Sequence, residues 1–310
     1  MFTSAMPAAE YYRHLLSKVD PRPDLVRAAY PLVYRAGTWD FLRIASKHIG
    51  PEDRVIVVRA TIHGEEIAGA LTSLNFLDEL ADYVHSRGIK LILYPLGNPS
   101  GFERGIRYNV DGHIAQGNND FLRYVMEDGS ISSDLGLGKP YRSWMMADDP
   151  ALGIDLPAES RLMLELVRHD PLRQIVAAFD LHQDVGEGLP ASAYHYAFGD
   201  LDRYSTIVRR IAEVVPLLAD YQPADGFAEQ IDGKVGPLPR APEGALRSDE
   251  NGFIVHYDAS FSDFYQRIGV SHSIAPETTG ATPLEDACLV NWIWITGVID
   301  LLMAEGTARR

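Results

Sequence analysis

The sequence predicts an α/β fold: a single domain with a mixed, mostly parallel twisted sheet and helices on both faces. Residues 53–60 form a continuous Val-rich apolar run, which is typical of a strand buried on both sides. Residues 67–84 place apolar side chains three and four apart, which predicts an amphipathic helix, and Gly88 follows at a C-cap position. The run "IKLILY" then predicts a second buried strand. Strand, helix and strand in this order imply parallel pairing through a right-handed crossover.

The rest of the chain continues the alternation. Pro157 and Glu159 begin a predicted helix in "PAESRLMLELVRHD". Later segments predict, in order, strands at "QIVAAFDLH" and "AYHYAFG", a helix over 201–218, a strand at "GVSHSIAPE" and a helix from Pro283. Residues 1–50 are expected to be a helical N-terminal segment. Residues 127–156 and 222–252 are rich in Gly, Pro and Asp and are expected to be long functional loops of one domain spanning 1–310.

Composition excludes several classes of function. The formal charge of -15 opposes binding to nucleic acid, which requires clustered Lys and Arg. Cys288 is the only cysteine, so neither an intrachain disulfide nor a thiolate zinc site is expected. The N-terminus lacks the features of a signal peptide, and Asn291 and Asp300 interrupt the apolar tract near the C-terminus. We therefore expect a cytoplasmic protein without a membrane partner, and the sequence leaves its oligomeric state open.

Polar residues follow four of the predicted strands. His63 and Glu66 come after the first, "NPSG" follows the second, His182 ends "AAFDLH", and Glu277 ends "SHSIAPE". Carboxyl ends of strands are where open α/β sheets bind ligands. Two imidazoles and one carboxylate are a donor set for catalytic zinc, and a further carboxylate, Glu277, could accept a proton from zinc-bound water. Alternatives remain at this level: Glu65 could be the ligand, and Glu66 could serve only the helix N-terminus.

Five motifs in sequence strengthen the metal interpretation. "HGEE", "NPSGFERGIRYNVDG", "PAESRLMLELV", "FDLH" and "PETTG" occur in this order between residue 53 and the end of the chain. Together they resemble the zinc carboxypeptidase (funnelin) superfamily, in the form of a short bacterial-type metallocarboxypeptidase-like protein. The resemblance implies that His63, Glu66 and His182 bind one Zn²⁺ per chain. It also implies that Glu277 is general base and then general acid, and that Arg107 stabilises the oxyanion.

One segment departs from the family. Where the family has Asp-Leu-Asn-Arg-Asn-Phe, this chain has "HIAQGNNDF", which places Gln116, Asn118 and Asn119 on the family's Asp, Asn and Arg. Neutral Asn119 cannot replace a bidentate arginine that holds a substrate carboxylate. Either another arginine takes its place or the substrate end is not an ordinary free carboxylate. The available arginines are Arg142, Arg240, Arg247 and Arg267.

Two further groups of residues are candidates for supporting roles. Asp180 lies two residues before His182, hence on the same face of the strand, and could orient that ligand or cap a loop. Asp184 is a second candidate for that support. The resemblance implies a mobile aromatic residue that contacts substrate, and Tyr257 or His256 falls near its position.

These residues predict a zinc-dependent hydrolase of the metallocarboxypeptidase type that cleaves an amide bond in a peptide or peptide-like substrate. One alternative is an N-acyl amino acid deacylase resembling aspartoacylase or succinylglutamate desuccinylase, although those relatives keep the Asn-Arg pair. Another is a non-catalytic binding protein that retains the pocket. The expected partner is accordingly a small peptide or an acyl amino acid, and a second metal is not excluded by the ten histidines.

Overall fold

The computed structural model describes residues 6–112, 117–135, 139–185, 188–221 and 247–308. The helices are α1 (Ala8–Val19), α2 (Ala68–Ser86), α3 (Pro99–Arg104), α4 (Ala158–His169), α5 (Ser205–Ala212), α6 (Phe261–Arg267) and α7 (Leu284–Ala308). The strands are β1 (Leu25–Tyr34), β2 (Gly37–Ser46), β3 (Arg54–Ala60), β4 (Ile89–Tyr94), β5 (Leu122–Met126), β6 (Ile131–Ser132), β7 (Tyr141–Met146), β8 (Ile175–Leu181), β9 (Ala193–Ala197), β10 (Phe253–Ile254) and β11 (His272–Thr278).

Eight of these strands form one sheet in the order β1-β2-β4-β3-β8-β11-β9-β10. The four central strands, β4, β3, β8 and β11, run parallel, whereas β1 and β2 pair antiparallel at one edge and β9 pairs antiparallel with β11 near the other. The predicted mixed, mostly parallel α/β sheet is therefore confirmed. The parallel centre aligns the carboxyl ends of β3, β8 and β11 at one edge of the sheet.

Each face of the sheet carries its own apolar core. Ile56, Val58 and Ala60 of β3 belong to the core beneath α1, α2, α5 and α7, which also buries Trp294. Val55 and Val57, on the other side of the same strand, belong to the core beneath α4 and α6. This alternation explains why β3 is apolar at nearly every position, and it confirms helices on both faces.

By length and composition, α7 contains a stretch, Leu284–Glu305, that could cross a membrane. Two-thirds of its apolar window is buried within the protein, and α7 packs against α2 and α5. In this structure it is a core helix of the α/β fold, as the interrupted apolar tract predicts.

Three predicted elements differ from the structure. The prediction of helix over 1–50 holds only for α1, because residues 25–46 form a β-hairpin in which Tyr34 pairs with Gly37. Aromatic and branched residues there favour strands. The helix predicted over 201–218 is a 3₁₀ turn followed by α5, and it ends before Pro216, whose carbonyl accepts a hydrogen bond from the Ala193 amide at 2.9 Å.

The loop predicted over 127–156 is partly structured. Strands β6 and β7 pair antiparallel with β5 in a separate three-stranded sheet. Most of the loop predicted over 222–252 lies outside the described residues, at 222–246.

Candidate metal centre

The segment between β3 and α2 has a fixed backbone conformation. Thr61 adopts φ of 55°, and its hydroxyl accepts a hydrogen bond from the Ala70 amide and donates one to the Glu66 carbonyl, at 3.0 and 3.1 Å. Gly64 is closely packed, because a Cβ there would lie 2.1 Å from the main chain of Gly101. The residues of "HGEE" are thus held by local bonds and by a close contact with the start of α3.

The three predicted ligands meet at this edge of the sheet. The Nδ1 atom of His63 lies 2.7 Å from Glu66 Oε1, and the Nδ1 atom of His182 lies 2.8 Å from Glu66 Oε2. All three side chains are buried, and their potential ligand atoms lie within 4.8 Å of one another. Two imidazole nitrogens and a carboxylate converging in this way could hold a metal ion.

Asp180 fixes the orientation of one imidazole. Its Oδ2 atom lies 2.9 Å from Nε2 of His182, so that Nδ1 of the same ring faces Glu66. A carboxylate behind a histidine is the usual support of a metal-binding imidazole. Of the two roles open to Asp180 in the sequence, the contact favours orientation of His182 over capping of a loop.

The electrostatics of the cluster favour a cation at its centre. Burial, helped by Arg107, lowers the pKa of His63 to about 3, so this imidazole is neutral. Burial also acts to lower the pKa of His182, but Asp180 and Glu66 outweigh it and raise that pKa well above its usual value. Two carboxylates therefore stabilise positive charge beside His182, and a bound metal ion would supply it.

Glu277 lies beside the cluster near the end of β11. Its Oε1 atom is 4.0 Å from Nδ1 of His182, and its buried Oε2 atom has no hydrogen-bond partner among the described residues. Burial raises the pKa of Glu277 well above its usual value, with further contributions from Glu66 and Asp184, although His182 and Arg107 oppose the shift. A buried carboxyl group whose pKa is raised is suited to proton transfer.

Comparison with known proteins gives a match in structure alone. No family model matches the chain, and no curated protein matches it. A presumed metallopeptidase from Shewanella baltica superposes with a TM-score of 0.66 at 21% identity, covering 94% of this chain and 91% of that one. A second such protein, from Shewanella amazonensis, superposes with a TM-score of 0.65 at 22% identity, covering 97% of this chain and 99% of that one. A metallo-carboxypeptidase from Burkholderia cenocepacia superposes with a TM-score of 0.56 at 13% identity, covering 96% of this chain and 69% of that one.

The chain has a zinc carboxypeptidase-like fold. The resemblance indicated by the five motifs is thereby confirmed at the level of fold, with His63, Glu66 and His182 at the carboxyl edge of the parallel strands of that fold.

Arg107 reaches the cluster from the segment after α3. Its Nη1 atom lies 3.1 Å from Glu66 Oε1 and 3.6 Å from Glu65 Oε1. Its main-chain carbonyl accepts hydrogen bonds from Gly64 N and Asn118 Nδ2, at 3.1 and 3.2 Å. The guanidinium thus lies beside the predicted metal ligand Glu66, and its role in stabilising an oxyanion remains a prediction.

Asn118 and Asn119 occupy the positions at which the family's Asn and Arg hold a substrate carboxylate, and both bond to other parts of this protein. Asn118 donates from Nδ2 to the Ile62 carbonyl at 2.6 Å, which supports the loop before His63. The Oδ1 atom of Asn119 accepts a hydrogen bond from Arg59. Both amides are therefore engaged with the protein in this structure, and their predicted role in substrate binding remains a prediction.

Of the arginines proposed as replacements, two form ion pairs, one is exposed and one lies outside the described residues. Arg142 is exposed on β7, Arg247 pairs with Asp220 at 2.7 Å, and Arg267 pairs with Asp263 at 3.2 Å. Arg240 and Gln116 lie outside the described residues.

Sequence reasoning missed Arg59. Its guanidinium is fully buried on β3, donates to both carboxylate oxygens of Asp180, and lies 4.4 Å from the centroid of the Phe261 ring. A single arginine within an otherwise apolar strand was the available signal, because a buried charge requires a partner of opposite sign. Arg59 supports Asp180, which in turn supports His182.

The two remaining candidates, Tyr257 and His256, contact residues outside the metal cluster. The Tyr257 ring packs against Phe198 at 5.2 Å and beneath Arg267 at 4.3 Å, and His256 pairs with Asp134 at 3.2 Å. Contact of Tyr257 with substrate remains a prediction.

Asp184 does not take the place behind a histidine that Asp180 occupies. Its Oδ2 atom accepts hydrogen bonds from the hydroxyls of Tyr194 and Tyr221, at 3.0 and 2.9 Å. Its negative charge acts instead on Glu277, whose pKa it helps to raise.

Proposed function

We propose that this protein is a zinc-dependent hydrolase of the metallocarboxypeptidase type that cleaves an amide bond in a peptide or peptide-like substrate. The observation that carries the proposal is the convergence of His63, Glu66 and His182, with the buried carboxyl group of Glu277 beside them. The carboxypeptidase-like fold supports it, and the convergence lies at the carboxyl ends of the parallel strands, where open α/β sheets bind ligands.

The donor set suits zinc in particular. Two imidazole nitrogens and one carboxylate oxygen leave a coordination position for water, and Zn²⁺ bound there acts as a Lewis acid and lowers the pKa of water to about 7. His63 is kept neutral by burial, and Asp180 holds the His182 ring with Nδ1 toward the centre. No sulfur ligand takes part, since the only cysteine, Cys288, is buried beside the main chain of Ala68.

Glu277 and Arg107 supply the remaining chemistry. The raised pKa of Glu277 allows its carboxylate to accept a proton from the attacking water and to deliver it to the departing amine. Arg107, a permanently charged donor, stabilises the negative charge that develops on the carbonyl oxygen of the substrate. Arg107 Nη1 lies 3.1 Å from Glu66 Oε1, and Glu277 Oε1 lies 4.0 Å from Nδ1 of His182, so each group is beside one of the predicted ligands.

The contacts of Asn119 bear on the substrate. Arg59, which donates to Asn119, is already neutralised by Asp180 and is fully buried. We therefore propose that the substrate end is not gripped as an ordinary C-terminal carboxylate. Peptides with amidated and free C-termini should be cleaved at rates that differ by less than tenfold. A preference of a hundredfold or more for free C-termini would contradict this part of the proposal.

Replacement of Glu277 by Gln tests the mechanism. The purified protein should bind one zinc per chain, and Glu277→Gln should retain that zinc while losing about 10²–10⁴-fold in turnover. Glu79→Gln, on the exposed side of α2, is a control for loss of one negative charge. The substrates are dipeptides, cell-wall peptides and acyl amino acids. Full activity of Glu277→Gln would contradict the mechanism, and absence of both zinc and hydrolysis would favour a binding protein.

A further inference from the structure

Arg107 is held by its main chain as well as by its guanidinium. Its carbonyl oxygen accepts hydrogen bonds from the Gly64 amide and from the side-chain amides of Asn98 and Asn118, at 3.1, 3.1 and 3.2 Å. Several rotatable bonds separate this main chain from the guanidinium, so the charge is placed accurately only where the backbone is fixed. The contacts of the segment that follows Arg107 therefore bear on the position of its charge.

A buried carboxyl group binds that segment to the first turn of α4. Glu159 is 0% exposed, and its two oxygens accept hydrogen bonds from Nδ2 of Asn109, at 3.1 and 2.8 Å. Asn109 is also buried, and its Oδ1 atom accepts a hydrogen bond from the Asp111 amide at 2.9 Å, which closes a turn. Because Asn109 is two residues from Arg107, Glu159 fixes the backbone close to the guanidinium.

The hairpin of β1 and β2 joins the same network. The hydroxyl of Tyr34, at the end of β1, donates to Glu159 Oε2 at 3.0 Å. The Arg35 amide of the hairpin turn lies 3.2 Å from each carboxylate oxygen of Asp111. Burial of a carboxyl group costs free energy that its donors must offset, so Glu159 requires these partners in place.

The first turn of α4 reaches Arg107 by a second route. Ser160 Oγ donates to the main-chain carbonyl of Asn118 at 2.6 Å, and the side chain of Asn118 donates to the carbonyl of Arg107. Glu159 and Ser160 are adjacent in the chain, and both are buried. The start of α4 thus supports the backbone around Arg107 on two sides.

We infer that Glu159 is a positioning residue for Arg107, acting through Asn109 to hold the guanidinium beside Glu66. The inference deepens the proposed function and rests on it for the role of Arg107. A Gln at position 159 replaces one acceptor oxygen by an amide donor that faces the donors of Asn109 and Tyr34, so the segment should shift. Displacement of a reacting group by about 1 Å can cost about 10²-fold in rate.

Glu159→Gln tests the inference through kinetics. In the zinc-loaded protein, kcat and kcat/KM should fall together by about 10–100-fold, while one zinc per chain remains bound. The same substitution in an Arg107→Gln background should lower kcat by less than a further threefold, because the group it positions is already absent. Asn109→Ala keeps Glu159 and should reproduce the kinetic loss, and it carries the test if Glu159→Gln does not fold.

Two control variants separate positioning from stability. Asp170, which follows α4 at its other end, is a buried carboxyl group that accepts hydrogen bonds from Tyr94 and Arg43, each at 2.6 Å. Asp170→Asn should lower Tm yet keep kcat within threefold of the unaltered protein. Tyr34→Phe removes a donor to Glu159 on the side of the hairpin and leaves Asn109 in place, so it should also keep kcat within threefold.

A chemical measurement distinguishes this inference from the proposed function. Phenylglyoxal modifies arginine side chains, and mass spectrometry of the digested protein gives the rate at each position. Arg107 should react at least threefold faster in Glu159→Gln than in the unaltered protein, whereas the exposed Arg13 should react at the same rate in both. This change in a protein that hydrolyses no substrate would sink the hydrolase proposal and leave the positioning of Arg107 by Glu159 standing.

Three results would overturn the inference. The first is a loss of less than threefold in kcat, or unchanged reactivity of Arg107, in both Glu159→Gln and Asn109→Ala. The second is a loss in the Arg107→Gln background as large as in the unaltered protein, which would mean that Glu159 acts independently of Arg107. The third is an equal loss in Asp170→Asn, which would mean that removal of any buried carboxyl group on α4 has the same effect.

Discussion

The ion pair between Arg59 and Asp180 makes a quantitative prediction. Replacing Arg59 by Met removes the charge and keeps an unbranched apolar chain of comparable length among the Phe121 and Phe261 rings. Asp180 would then be left buried with one cationic or donor contact from the described part of the chain, Nε2 of His182 at 2.9 Å. The change therefore tests whether the support behind His182 depends on a second residue that does not touch the proposed ligands.

The magnitude follows from burial and geometry. Arg59 is 0% exposed and Asp180 is 1% exposed, and Nε of Arg59 lies 2.7 Å from Oδ1 of Asp180. Removing one partner of a buried pair costs about 3–5 kcal/mol, because the other charge is left uncompensated. His182 partly compensates Asp180, so we expect about 3 kcal/mol of lost unfolding free energy for Arg59→Met. The double variant with Asp180→Asn should lose less than the sum of the two single changes.

Urea unfolding of the zinc-free protein measures these differences. Arg27→Met is the matched control, because Arg27 pairs with Asp20 at 2.7 Å while both side chains are about half exposed, and such surface pairs contribute about 0–1 kcal/mol. Zinc affinity is measured on the same variants, and Arg59→Met should weaken it. A loss below about 1 kcal/mol, or strict additivity with Asp180→Asn, would refute this account of the pair.

Three further predictions concern single residues. Arg107→Gln should lower kcat about 10²–10³-fold in a steady-state assay, while the exposed control Arg161→Gln should not; a change in KM alone would contradict the oxyanion role. Asp180→Asn should weaken zinc affinity about 10–100-fold in a competition titration with a chelator, and unchanged affinity would mean that Asp180 does not support His182. Burial lowers the pKa of His195 from 6.5 to about 3, so between these values only the unfolded chain takes up this proton and stability falls as pH falls. His195→Gln keeps a hydrogen-bond acceptor for Trp294. Between pH 7 and pH 5 the variant should lose about 2 kcal/mol less unfolding free energy than the unaltered protein. Plots of unfolding free energy against pH that run parallel for the two proteins would contradict this.

Elements with strong local signals were predictable from the residues alone. Strand β3 was predictable because its continuous apolar run matches a strand that is buried on both faces. Helix α2 was predictable because its apolar residues recur three and four apart, as in a helix that buries one face. The residue types at the strand ends then indicated the donor set, since His63, Glu66 and His182 all follow strands of a parallel sheet. The hairpin at 25–46 was missed because its alternation of buried and exposed residues is weak.

Which charged side chains pair with each other depends on the folded molecule. Arg59 and Asp180 are 121 residues apart in the chain, and their pairing depends on the register between β3 and β8, which places them directly opposite each other. The contact between Asn119 and Arg59 depends likewise on separate segments brought together by folding. Local sequence encodes spacing and burial, whereas a charge finds its partner through contacts between segments far apart in the chain, and those contacts exist only in the folded sheet.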